Sequence, residues 1–249
     1  MHWKRSGYLA HRWLGLVVGV QLLAWSVSGF TFTILDIDNV HGDFERNTDP
    51  PLPVRVDRVV VSPAEAVATL ADSGIVQQSV THISLRERFG QTVYELFDAD
   101  RKPLGAVEAV SGEFIARISQ EQATRAAQAD FLPQAVVLSS ELLEGDAPSE
   151  FRGGAMPVYR IILDHPKRPH LYVSPVTGKV LTRRNKPWRT FDFFWMLHIM
   201  DYRQRDNFNH WLLTAMSAIA IVTSASGLVL WLWRLPRSKR GGLNLTSVS

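Results

Sequence analysis

Three histidines stand where two long apolar stretches of this sequence meet their polar flanks. His11 opens the first stretch, and His198 and His210 lie just before the second. Neutral imidazole is a good iron ligand, and ionisable side chains at a membrane boundary are often functional. The placement therefore favours a haem-bearing membrane protein with these histidines as ligands. The alternative is that each histidine only anchors a helix end among the lipid headgroups.

The two apolar stretches are long enough to cross a membrane. Residues 13–35 and 211–233 each contain 23 consecutive residues without Asp, Glu, Lys, Arg or His. As helices they would be about 34 Å long, against a hydrocarbon thickness of about 30 Å. We therefore predict two transmembrane helices. Ser26 and Ser28 are spaced like the small residues of a signal-peptidase site, which leaves a cleaved leader as an alternative, although the stretch exceeds a typical leader core.

Charge sets the predicted orientation. Seven of the 27 Lys and Arg residues lie in the two terminal flanks, before residue 13 and after residue 233, and neither flank contains an Asp or Glu. Both termini should therefore be cytoplasmic. The segment between the stretches holds all 24 acids, is about four charges negative, and should lie on the outer side of the membrane. The isoelectric point near 9.3 thus reflects the membrane flanks and does not indicate nucleic-acid binding. The chain has no cysteine, which excludes disulfides, thiolate metal sites and cysteine nucleophiles.

The segment between the spans reads as two copies of one α+β unit. Ser62-Pro63 and Ser119-Gln120 each open a predicted helix, and alternating apolar residues after each helix predict antiparallel strands. The turn at 110–113, Val-Ser-Gly-Glu, recurs at 176–179 as Val-Thr-Gly-Lys, and the second copy carries an insertion at 144–154. In each copy the helix must cover one face of its sheet to bury a core. The predicted strands are 81–88, 92–99, 104–110, 136–143, 157–164 and 170–175.

The predicted architecture is therefore α+β, with two transmembrane helices flanking a repeated outer domain. The segments are 1–36, the cytoplasmic N-terminus and first span; 37–61, a connector; 62–118 and 119–184, the repeats; 185–206, an interfacial aromatic helix and a polar break; 207–234, the second span; and 235–249, a basic cytoplasmic tail. On a helical wheel, small residues share one face of the first span with His11. That face suits close helix packing or a flat macrocycle.

Several motifs resemble those of the PepSY-associated transmembrane proteins. They are His11-Arg12-Trp13-Leu14-Gly15-Leu16, the paired repeat, Leu197-His198-Ile199-Met200-Asp201-Tyr202 and Gly227-Leu228, and the likeness runs from about residue 4 to 234. The resemblance implies two PepSY-like units in the periplasm of a bacterial inner-membrane protein. It also implies b-type haem held by membrane histidines, for reduction of ferric iron or a ferri-siderophore that supports Fe(II) uptake. Larger relatives carry a further helix pair, so it implies a homodimer that completes a four-helix bundle.

For this chain, the resemblance implies haem ligands at His198 and His210 near the outer face and His11 near the inner face. Met196 or Met200 could substitute for one of them. One haem cannot easily use both His11 and His210, so either there are two haem levels or one of these histidines is not a ligand. No particular catalytic residue is predicted.

The implied reduction of ferric iron also needs a surface that binds the iron and a source of electrons. An oxygen-rich surface would suit ferric iron, and the candidates lie just outside the first span, where a solvated acidic loop is the alternative. These candidates are Asp36, Asp38, His41, Asp43 and Glu45. No dinucleotide-binding fingerprint occurs, so the electrons should come from a separate quinol or reduced flavin.

A different class of function is also compatible with this sequence. The PepSY-like pair could act as a membrane-anchored binding module, protease-inhibitory, chaperone-like or sensory, with spans that only tether it. A hydrolase has little support, because neither a Ser-His-Asp pattern nor a His-Glu-x-x-His motif stands out.

Overall fold

The computed structural model describes residues 2–74 and 79–234, which fall into two compact units. The first unit contains helix α1 (His2–Ile34) as far as Thr31, and the chain from Phe194 onward with helix α6 (Trp211–Arg234). The second unit runs from Phe32 to Phe193. Helix α5 (Lys186–Ile199) continues from the second unit into the first. The predicted tail at 235–249 lies outside the described residues.

Both predicted spans are helices. Within α1 and α6, the segments His11–Ile34 and Trp211–Leu232 are long and apolar enough to cross a membrane. Large apolar side chains such as Trp13, Phe30 and Ile221 are exposed along them. An exposed apolar surface is costly in water and favourable in lipid, so these helices have the composition of membrane spans.

A short connector follows α1. Asp36 caps helix α2 (Ile37–His41) by accepting a hydrogen bond from the backbone N–H of Asn39 at 3.0 Å. Two 3₁₀ turns, Asp43–Glu45 and Val56–Arg58, lead on to the first repeat.

The first repeat places one helix on a four-stranded antiparallel sheet. It contains α3 (Pro63–Asp72), β1 (His82–Arg88), β2 (Gln91–Phe97), β3 (Pro103–Glu108) and β4 (Phe114–Ile115), with the strands in the order β1-β2-β3-β4. Its core is made of apolar side chains from the helix and from one face of the sheet. These are Ala66, Leu70, Tyr94, Leu96, Val107 and Ala109.

The second repeat has the same order of elements. It contains α4 (Gln120–Asp130), β5 (Val136–Leu143), β6 (Val158–Asp164), β7 (His170–Val173) and β8 (Val180–Arg184), again as a meander β5-β6-β7-β8. Its core again combines helix and sheet residues, including Ala123, Ala127, Tyr159, Ile161, Leu171 and Val173. The predicted α+β fold with two helix-plus-sheet repeats is therefore confirmed.

The two repeats also share their local hydrogen bonding. Ser62 and Ser119 each form a capping box, with Glu65 and Gln122 respectively as the returning side chain. In the matching turns, Gly112 and Gly178 have φ of 76° and 69°, a left-handed conformation that favours glycine. The repeat therefore extends from the topology down to individual turns.

Each repeat also has a tyrosine that ties its sheet to the start of its helix. The Tyr94 hydroxyl donates to the carbonyl of Val61 at 2.9 Å, and the Tyr159 hydroxyl donates to that of Ile118 at 3.0 Å. Val61 and Ile118 each directly precede the N-cap serine of the helix. We call this contact the tyrosine tie; it fixes the helix entry against the strand that carries the tyrosine.

Six strands were predicted and eight are present in the described chain. The last strand of each repeat, β4 and β8, was missed. Phe114–Ile115 is only two residues long, and Val180–Arg184 has a mostly polar sequence without clear alternation. Both strands form because a neighbouring strand offers its free edge, a tertiary effect that local patterning does not reveal.

Candidate functional site

His198 lies near the C-terminal end of α5 and is held by two side chains of α1. Its Nδ1 is 2.7 Å from the Ser28 hydroxyl oxygen, and the Trp25 indole N–H donates to the His198 carbonyl at 2.7 Å. The Ser28 side chain is buried. All three residues belong to the first unit. Two separate contacts thus fix the position and the ring orientation of this histidine.

The Ser28 hydroxyl also selects the tautomer of His198. This hydroxyl lies 2.8 Å from the carbonyl oxygen of Ala24 and 3.0 Å from that of Trp25, and it has only one hydrogen to donate. If that hydrogen satisfies a carbonyl, the serine oxygen accepts the Nδ1–H of His198. The lone pair of the neutral imidazole is then on Nε2, as in a metal-binding histidine whose other nitrogen is held by a hydrogen bond.

His11 repeats this arrangement with a serine of the other long helix. Its Nδ1 is 2.9 Å from the Ser226 hydroxyl oxygen, which in turn donates to the carbonyl of Thr223 at 2.8 Å. The same reasoning places the His11 proton on Nδ1 and the lone pair on Nε2. Two of the three predicted ligands therefore share one arrangement, in which the imidazole ring is oriented by a serine that is itself hydrogen-bonded to its own helix.

The two histidine sites lie at different heights along α1. Ser28, which marks the level of His198, follows His11 by 17 residues in one continuous helix. At the rise of an α-helix the two levels are about 25 Å apart. A single porphyrin cannot contact both, so haem bound at both histidines would require two levels.

His210 has a structural role in this chain. Its Nε2 donates to the carbonyl of Ile199 at 2.8 Å, and its Nδ1 accepts the backbone N–H of Leu213 at 3.4 Å. The first contact satisfies a carbonyl at the end of α5, and the second caps the start of α6. Neither ring nitrogen offers a lone pair to iron in this arrangement, so we leave His210 out of the ligand set proposed below. The predicted substitute Met200 is buried and ends α5 with φ of 57°, and Met196 is half-buried.

The predicted ferric docking residues are not gathered into one site. Asp36 caps α2, and Glu45 forms an ion pair with Lys167. His41 and Asp43 are exposed, with Nδ1 and Oδ2 3.8 Å apart, and Asp38 is also exposed. Within residues 2–74 and 79–234, no group of three or more His, Asp or Glu side chains could hold a metal ion. The solvated-loop alternative describes this segment better.

Sequence reasoning missed a cluster that attaches the 144–157 loop to the start of α5. Glu150 accepts hydrogen bonds from Arg189 Nε at 2.5 Å and from His170 Nδ1 at 3.0 Å, and its carbonyl accepts from Arg184 Nε at 2.7 Å. Burial alone would raise the pKa of Glu150, but the bonds from His170 and Arg189 outweigh it and lower the pKa to about 2. We call these four residues the Glu150 cluster.

A second buried carboxylate has the opposite shift. Glu95 of β2 has its side chain almost fully buried, with Arg86 at 3.6 Å and Lys179 of the second repeat at 3.7 Å. Neither carboxylate oxygen has a hydrogen-bond partner within the described chain. Burial raises the pKa of Glu95, against the lowering effect of Arg86 and Arg88. Glu95 is therefore a buried carboxyl group at the junction of the two repeats, with cations of both repeats within 4 Å.

Comparison with known proteins gives a family for this architecture. The sequence matches the family described as the PepSY-associated TM region over residues 8–246. No curated protein and no solved structure matches the chain. The family match covers both apolar helices, both repeats and both serine-held histidines. The chain is a membrane-anchored PepSY protein, and it belongs to the family of PepSY-associated transmembrane regions.

Proposed function

We propose that this protein is a haem-b-containing electron conduit of the bacterial inner membrane, which reduces ferric iron or a ferri-siderophore on the periplasmic side. The observation that carries the proposal is the serine-oriented histidine, present once as His198 with Ser28 and again as His11 with Ser226. Orientation by a hydrogen bond at the non-ligating nitrogen is typical of metal-binding histidines. Histidines that served only as interfacial anchors would not need such a hydrogen bond, yet two of them have one.

The residues present fit a haem iron. His198 and His11 supply neutral nitrogen donors within or beside apolar helices, the kind of ligand that haem iron takes in proteins. Along α1, a Cβ added at Gly15, Gly19 or Gly29 would meet no neighbouring atom within 4 Å. This small face is open in the single chain and would accept a flat macrocycle or a second copy.

Bound haem would supply one-electron chemistry, and the chain's own residues would determine where it takes place. Two levels about 25 Å apart along α1 would divide the crossing into shorter steps. A homodimer would bring two copies of each histidine together, so that each level could be ligated by a pair of imidazoles. The electrons would come from a separate quinol or reduced flavin, and the product Fe(II) would be available for uptake.

The experiment is an absorption spectrum of the detergent-purified protein, produced with ample haem supply. We expect a Soret band that shifts on dithionite reduction and is lost or strongly weakened in His198→Ala. His41→Ala is the control, because His41 is exposed outside the spans and should leave the spectrum unchanged. An unchanged spectrum in His198→Ala would remove His198 from the ligand set. A colourless wild-type preparation would reject the conduit and favour a membrane-anchored binding module.

A further inference from the structure

A cavity of about 680 Å³ lies between the two repeats of the second unit. The first repeat contributes the turn between β2 and β3, and the second repeat contributes the turn between β7 and β8. The loop between β5 and β6 forms a further wall with residues 151–157. A volume of this size is typical of sites for small organic molecules, which usually occupy 300–1,000 Å³.

Part of the cavity wall is apolar and belongs to both repeats. Phe97 and Leu104 come from the first repeat, whereas Pro175 and Val176 come from the second. The loop adds Met156 and Pro157. These side chains would cover the apolar body of a ligand and shield it from water.

The charged part of the wall is entirely basic. The cavity is lined by Arg101, Lys102, Arg117, Arg152 and Lys179, and none of the described residues that line it is acidic. Three of these cations already have partners outside the lining, because Arg117 pairs with Glu144, Arg152 with Asp192 and Lys179 with Glu95. In the described part of the chain, the side chains of Arg101 and Lys102 form no ion pair, and the Arg101 guanidinium is hydrogen-bonded to His82 at 3.3 Å. The carboxylate of Asp98, in the same turn, accepts the backbone N–H of Lys102 at 2.8 Å.

We propose that this cavity binds a small organic anion, a carboxylate-bearing molecule with an apolar body. Its carboxylate would be held by Arg101 and Lys102, whose side chains form no ion pair in the described chain, and its body would lie against Phe97, Leu104 and Pro175. The volume of the cavity matches a molecule of a few hundred daltons. The carboxylate could belong to a free organic acid or to a carboxylate chelate of a metal ion. This proposal does not depend on haem binding, because none of its residues belongs to the histidine sites.

The test compares two probes of the same shape but different charge. Full-length protein in lipid nanodiscs is titrated by calorimetry with 3-hydroxy-2-naphthoate and with its neutral amide, and empty nanodiscs correct for partitioning into lipid. We expect the carboxylate to bind at least tenfold more tightly than the amide. Equal affinities, or no binding of either probe, would overturn the proposal.

Two double variants with the same loss of charge locate the site. Arg101→Gln with Lys102→Gln should weaken carboxylate binding at least tenfold and leave the amide unchanged. The matched control is Arg55→Gln with Arg58→Gln, which removes two exposed cations outside the cavity lining and should bind like the wild type. Equal losses in both double variants would show a general charge effect and reject the site.

A further variant fills the cavity without changing its charge. Ala155 is exposed and lines the cavity, so Ala155→Trp should reduce binding of both probes while the protein keeps its thermal stability. Unaltered binding in this variant would contradict the location. The affinity for the ferric complex of 3-hydroxy-2-naphthoate is then compared with the affinity for the free acid. Tighter binding of the complex would identify a metal chelate as the ligand, and tighter binding of the free acid would identify an organic acid. Tight binding of an oligoglutamate peptide, with none of the small acids, would replace the proposal by one for acidic polypeptide.

Discussion

At the scale of single residues, a serine hydroxyl lies against Nδ1 of His198 and another against Nδ1 of His11, and each favours the tautomer with its proton on Nδ1. Ser28 and Ser226 are separated from their histidines by 170 and 215 residues in the chain. The histidines could be identified from the sequence, because imidazole at the end of an apolar stretch is conspicuous. Their serines could not, since small polar residues in spans are common and their partners depend on packing. Ser28 could equally be read as part of a signal-peptidase site.

The serine contact leads to the first residue-scale prediction. Ser28→Ala removes the oxygen that accepts the Nδ1–H of His198, and loss of such an orienting contact typically costs 10–100-fold in metal affinity. We therefore expect haem to dissociate from Ser28→Ala roughly ten times or more faster than from wild type, as measured by transfer to apomyoglobin. Ser26→Ala is the control, because Ser26 is exposed on the same helix. Identical rates in the two variants would show that the hydroxyl does not orient a ligand.

The Glu150 cluster leads to a prediction about pH. The pKa of Glu150 is lowered to about 2, so its contribution to stability is complete above its unfolded pKa and is lost as the pH falls toward 2. At pH 7 we expect Glu150→Gln to destabilise the protein by about 2 kcal/mol, since the shift is discounted for partial exposure. The melting temperature in detergent, followed by tryptophan fluorescence, should fall by roughly 4–8 °C.

The difference between this variant and wild type should disappear in acid. Between about pH 5 and pH 2 the unfolded chain takes up a proton at Glu150 while the folded protein resists protonation, so the advantage of the wild type declines and the two melting temperatures should converge. Glu144→Gln is the control, because Glu144 pairs with Arg117 on an exposed surface and should change the stability by less than about 1 kcal/mol at any pH. A difference that is undiminished at pH 2.5 would mean that Glu150 acts through packing and not through its charge.

At the scale of secondary-structure elements, the tyrosine tie defines the repeat more sharply than the strand pattern does. It joins a strand to the residue before a helix cap in both repeats, over 33 and 41 residues of sequence. The capping serines could be read from the sequence because Ser-x-x-Glu and Ser-x-x-Gln are local signals. The tyrosines could not, because their acceptors are backbone carbonyls far along the chain.

The tie predicts equal effects in the two repeats. Tyr94→Phe and Tyr159→Phe each leave one backbone carbonyl without its donor, which costs about 1 kcal/mol. Because the two sites share no partner, the double variant should lose about 2 kcal/mol in chemical denaturation. Tyr202→Phe, at an exposed position, is the control and should be neutral. A double variant no less stable than either single variant would show that the ties are not independent.

At the scale of the whole molecule, charge at the ends of the spans predicts the topology and the fold does not. The helices α1 and α6 confirm that two segments can cross a membrane, and the family match agrees. The orientation of each terminus depends on how the basic flanks interact with the cytoplasmic leaflet. The contacts within the protein would be the same in either orientation, so they do not determine it. The same holds for the proposed homodimer, because residues that would meet a second copy have the same apolar character as a lipid-facing surface.

The absence of cysteine makes the topology directly measurable. A cysteine at Asp100, in an exposed turn of the first repeat, should react with a membrane-impermeant maleimide in intact cells. A cysteine at Ser238, beyond the second span, should react only after the cells are lysed. The reverse pattern would invert the orientation and place the repeats, with the proposed iron-reducing side, in the cytoplasm. Labelling of both sites in intact cells would exclude a two-span topology.

The uninterrupted course of α1 fixes the angular phase between the two histidine levels. His11 and Ser28 belong to one helix of 33 residues, His2–Ile34, so their directions around the axis are coupled. One residue added between them would turn Ser28 by about 100° and point its hydroxyl away from His198, whereas seven added residues would nearly restore the direction and lengthen the separation by about 10 Å. Insertions of these two lengths thus distinguish the rotational from the axial requirement of the proposed electron transfer between the two levels.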